Sequence, residues 1–144
     1  STDIDALNAY RTAIHQADIN PQQVVIWSQT DASLLLGENY DAFKAIQKPL
    51  GIILSGNMLD EEQILAIDAP IFCVTGERDW NLASRYATAV ANKHQEHYQL
   101  GSRSYIANHA NRKLIDTRNN IFHSGAEVAV THWLESVCQN SPSI

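Results

Sequence analysis

The 144 residues predict a single α/β domain: a parallel sheet of about four strands with helices on both faces. Three observations carry that prediction. Short apolar runs rich in β-branched residues recur at residues 23–27, 50–54, 70–75 and 103–107. Between them lie segments whose apolar residues recur at helical spacing. The earlier runs are apolar throughout rather than alternating, which is the pattern of strands covered on both faces, and parallel neighbours of that kind need crossover helices.

Residues 4–18 open the chain with a stripe of Ile4, Leu7, Tyr10, Ala13, Ile14 and Ala17, capped by Thr2 or Asp3 and stopped by Pro21. Gln23-Val24-Val25-Ile26-Trp27 is the first strand. Its crossover helix spans 30–46 on Leu34, Leu35, Ala42, Phe43 and Ile46, with Gly37 bending or breaking it and Pro49 ending the unit. Residues 50–54 form a second strand, 60–66 a short helix and 70–75 a third strand. A helix over 81–92 follows, with Leu82, Tyr86, Ala89 and Val90 on one face and Asn81 as its cap. Residues 103–107 supply the fourth strand, although 114–117 compete for that role. Ser124-Gly125-Ala126-Glu127 reads as a capping box for a last helix lined by Ala126, Val130, Trp133, Leu134 and Val137.

Composition excludes several function classes. Sixteen acidic residues against ten basic ones give a formal charge of -6, so nucleic acid is not an expected partner. The longest apolar runs, such as 34–36 and 71–74, fall far short of the roughly 18 to 20 residues of a membrane span. Residues 1–5 lack the basic and apolar regions of an export signal. Cys73 and Cys138 read as two buried thiols rather than a disulfide. Gly51 and Gly56 lack phosphate-binding spacing, and no cofactor is expected. His94, Glu96 and His97 offer too few donors for a metal and read as a solvated helix end. Arg112, Lys113 and Arg118 read as a solvated basic loop.

Ligands of such sheets gather at the carboxyl ends of the strands, so the residues following each strand are the candidates. The first strand runs into Ser28-Gln29-Thr30-Asp31-Ala32, and a serine entering a helix from a buried strand has the placement of a nucleophile elbow. The third ends Val74-Thr75-Gly76-Glu77-Arg78-Asp79-Trp80. A carboxylate at Asp79 would orient an imidazole, or else cap the next helix and pair with Arg78 or Arg85. Two histidines follow the fourth strand: His109, 30 positions after Asp79, and His123, directly before the last helix. In these residues, and in their order Ser, Asp, His, the chain resembles the C-terminal half of an α/β-hydrolase. The family pattern G-x-S-x-G has Ile26 and Thr30 in place of its glycines.

The resemblance implies one of two functions. The first is a non-catalytic hydrolase-like domain that binds or scaffolds. The alternative is a serine hydrolase of esterase, lipase or peptidase type, in which Ser28 attacks an acyl carbonyl, His109 or His123 takes the proton and Asp79 orients the imidazole. The resemblance also implies further strands ahead of residue 1, which would leave the first strand here with an apolar unpaired edge. Self-association through that edge is expected, as a two-fold dimer.

Overall fold

The computed structural model describes residues 2–16, 23–80 and 82–139. Eleven elements follow one another: α1 (Thr2–Gln16), β1 (Val25–Gln29), α2 (Asp31–Ile46), β2 (Gly51–Ser55), α3 (Glu61–Leu65), β3 (Ile71–Gly76), α4 (Ala83–Tyr98), β4 (Arg103–Ala107), β5 (Ile115–Asp116), β6 (Ile121–Phe122) and α5 (Ser124–Gln139). The four longer strands form one parallel sheet in the order β1-β2-β3-β4, as the alternation predicts. Residues 115–116 and 121–122 form a separate antiparallel ribbon, so the two competing segments are both strands, in different sheets.

Side-chain alternation along β2 and β3 divides the interior in two. Ile52, Leu54, Ile71 and Cys73 face α2, α3 and α4 with Leu36, Tyr40, Phe43, Ile64, Ala87, Val90 and Ala91, and Leu7 and Tyr10 of α1 pack onto the same cluster. Ile53, Phe72 and Val74 face α5 through Ala126, Val130, Trp133 and Val137. Trp133 stacks on Phe72 at 5.3 Å and donates its indole N–H to the Gly101 carbonyl at 3.0 Å. A Cβ on Gly51 would collide with that indole, which is why glycine stands there.

Several local expectations are corrected. Gly37 does not break α2; its missing side chain lets Leu59 pack against the helix. The non-helical residue is Asn39, whose side-chain amide donates to the Leu35 carbonyl at 2.9 Å. The fourth helix runs on to Tyr98, and its expected cap Asn81 lies outside the described residues. The capping box at Ser124 does not form: His123 occupies the cap, its Nδ1 accepting from the Ala126 N–H at 3.0 Å. Cys138 is exposed, while Cys73 is buried and its thiol is pushed up to about 12 by burial. His94 is core rather than a solvated helix end.

Candidate functional site at the strand ends

Parallel strands in sequential order bring the segments after β1, β2, β3 and β4 to one end of the sheet, where Thr30, Gly56, Asp79 and Arg112 meet. The first of these corrects the position of the turn. β1 extends two residues beyond the apolar run, because Ser28 and Gln29 pair with Leu54 and Ser55 of β2. Ser28 is therefore the fourth residue of the strand, not the turn. It shares a face with Leu54, is 3% exposed, and its hydroxyl has no hydrogen-bond partner.

The sharp strand-to-helix turn falls at Thr30, with φ 49° and ψ -117°. A β-branched residue is a strong outlier there. Backbone and neighbours hold it: the Thr30 N–H donates to the Ser55 carbonyl at 2.8 Å, and the Thr30 carbonyl accepts from the Ser33 N–H at 2.9 Å and the Ser33 hydroxyl at 2.7 Å. Ser33 in turn accepts from the Met58 N–H at 3.0 Å. The Thr30 methyl and the stem of Arg112 both approach Gly56, itself at φ 60°.

Asp79 stands where the resemblance places the acid, but its partner is not an imidazole. Its side chain is 3% exposed, and Oδ1 accepts from Arg112 Nε at 2.8 Å and from the Trp80 N–H at 2.7 Å. Neither Arg78 nor Arg85 takes that role. Arg112 and Arg118 stay on an exposed loop, as expected, but each also pairs with a carboxylate: Arg118 binds Asp116 at 2.9 Å and holds that carboxyl well below its usual range. No family model, curated protein or solved structure matches the chain.

The two histidines part company. His109 follows β4 at φ 65°, its N–H bound to the Glu77 carboxylate at 2.7 Å and its carbonyl to Thr117, while its buried Nδ1 has no partner. It makes no hydrogen bond to Asp79. His123 is buried and engaged in capping α5. The structure brings Ser28, Asp79 and His109 to the same end of the sheet without joining them, and joins Thr30, Gly56, Arg112 and Asp79 instead.

Thr30 carries a sequence signal, since Ser28-Gln29-Thr30-Asp31-Ala32 places small residues two positions either side of it, as an elbow requires. Arg112 carries none. Its pairing depends on the loop after β4 folding back over β3, where the carbonyls of Ala110 and Asn111 cross Gly76 so closely that a Cβ would have no room.

Proposed function

We propose that the chain is an α/β-hydrolase-like domain that binds rather than turns over, and that it associates with a second copy through β1. The single observation behind the first part is the ion pair of Asp79 with Arg112. A triad acid must accept the Nδ1–H of an imidazole, and a guanidinium cannot take a hydroxyl proton or return it to a leaving group. Strand-end loops carrying a strained turn at Thr30 and an acid at Asp79 support the hydrolase-like part of the reading. Among the described residues, no imidazole is hydrogen-bonded to the Ser28 or Asp79 side chain, which supports the non-catalytic part.

A fluorophosphonate probe incubated with the purified protein tests it by intact mass and peptide mapping. No adduct is expected. An adduct on Ser28 or Thr30 that disappears in Asp79→Asn would restore the serine-hydrolase reading, with an acyl compound as substrate. Association rests on β1 being an outer strand of the sheet, beside which Trp27 is 46% exposed and meets Phe122 edge to face at 6.4 Å. Light scattering at several concentrations should give a mass above that of one chain, and a constant single-chain mass would remove this part.

A further inference from the structure

Beside the strand-end cluster, on the side of the sheet covered by α4, lies a hollow of about 250 Å³ lined by Asn57, Met58, Leu59, Asp60, Trp80 and Tyr86. Its composition is unusual for an unoccupied surface. Trp80 is 53% exposed and Met58 45% exposed, although nothing in a strand-end loop requires large apolar side chains in water. Leu59, by contrast, is fully buried and forms a floor that cannot shift easily: its N–H is held by Asn57 Oδ1 at 2.9 Å and its carbonyl by the Tyr86 hydroxyl at 2.6 Å. The walls are thus built and the lip is apolar.

Charge selects the occupant. Among the described residues that line the hollow, Asp60 alone carries a formal charge, and none is Lys or Arg. Oδ1 of Asp60 accepts the Gln63 N–H at 2.8 Å in the cap of α3, which fixes the carboxylate beside the hollow. Of the basic side chains on neighbouring segments, Lys93 is paired with Glu61 and Arg112 with Asp79. Two aromatic side chains, a polarisable thioether and one fixed carboxylate attract a cation whose own surface is apolar, because ring quadrupoles and a carboxylate favour the same charge while the methyl groups cost little to dehydrate.

The geometry points to this hollow as a binding site for a small methylated ammonium group. The assignment goes beyond the non-catalytic reading and does not depend on it, since none of its residues is a triad position.

The test is a titration of the full chain with tetramethylammonium, followed through the three tryptophan indole N–H signals, of which Trp80→Ala identifies the relevant one. Saturable millimolar binding that shifts the Trp80 signal is expected, with tert-butanol of similar size failing to compete. Asp60→Asn keeps a good helix cap while removing the charge, and should weaken binding by roughly threefold to thirtyfold; Trp80→Ala should abolish it. Choline and a trimethyllysine tripeptide, titrated alongside, tell a free cation from one carried on a side chain. No saturable shift, an unchanged affinity in Asp60→Asn with the fold intact, or equal binding of tert-butanol would each overturn the assignment.

Discussion

Thr30 and His94 show how much a single residue's surroundings decide. Thr30 is held in its strained conformation by backbone hydrogen bonds to Ser55 and Ser33, not by its own side chain, which makes no capping bond. Glycine has no such penalty at positive φ, so Thr30→Gly should stabilise the fold by about 1 kcal/mol, the relieved strain exceeding glycine's greater entropy loss. A chemical denaturation midpoint checks this, and a lowered midpoint would show that the methyl contact beside Gly56 outweighs the strain. His94 is fully buried between two partners: Nε2 donates to the Ile67 carbonyl at 2.7 Å, so Nδ1 accepts the Ser102 hydroxyl at 2.6 Å, and Ser102 accepts the Ile71 N–H at 3.0 Å. Every lone pair and proton in that chain suits the neutral ring. Burial holds the His94 pKa below its ordinary 6.5.

At the scale of elements, residues 67 and 68 join α3 to β3 and are clamped from two sides. His94 of α4 holds Ile67, while Tyr40 and Lys44 of α2 hold the Asp68 carboxylate at 2.7 Å and 2.6 Å. Burial disfavours ionisation of Asp68, but the hydrogen bonds from Lys44 and Tyr40 and the charge of Lys48 prevail and hold its pKa at about 2. Both groups bind protons more readily in the unfolded chain, so both contributions are present at neutral pH and lost on acidification: that of His94 as pH falls below about 6.5, and that of Asp68 between about 4 and 2. The melting temperature should therefore fall from pH 7 to pH 5, and His94→Gln should flatten that slope while lowering stability at pH 7. An unchanged slope in the variant would assign the acid sensitivity elsewhere.

The elements themselves were largely legible in the sequence, because buried parallel strands and amphipathic helices impose patterns that survive without tertiary context. What could not be read were ends set by pairing. The apolar run of β1 stops at Trp27, yet ladder bonds to β2 carry the strand on through polar Ser28 and Gln29, and that shift moves the turn from the serine to Thr30. At α5 a backbone N–H chose His123 over Ser124 as its cap, a choice that depends on Leu114 accepting the His123 N–H at 2.8 Å. His123→Ala should cost about 1 kcal/mol and His123→Asn less, as measured by thermal melting. Gly76→Ala should cost about 1 to 3 kcal/mol, since the crossing carbonyls of Ala110 and Asn111 would have to retreat.

For the whole molecule, the two faces of the sheet are unequal. Four helices cover one face, whereas α5 and the loop after β4 cover the other, and near β1 that second face leaves Trp27, Ile121 and Phe122 open to water. Trp27→Lys should leave the fold intact, because the side chain is exposed, while lowering the mass seen by light scattering towards that of one chain. Retention of the associated species would place the contact elsewhere, β4 being the sheet's other outer strand.

The sequential strand order has a consequence for how the chain is made. Each strand of the large sheet pairs only with its predecessor and successor, so the sheet can grow by accretion as successive segments leave the ribosome, with little loop-closure entropy at each step. The helices of one face arrive in step with the strands they join. The cover for Ile53, Phe72 and Val74 does not: Trp133 lies about 60 residues behind Phe72, so that apolar face stays wet until α5 has been made. Nascent chains stalled near residue 123 should recruit a hydrophobic-binding chaperone that chains extended through α5 release, and in refolding experiments the amides of α5 should be the last to gain protection from exchange.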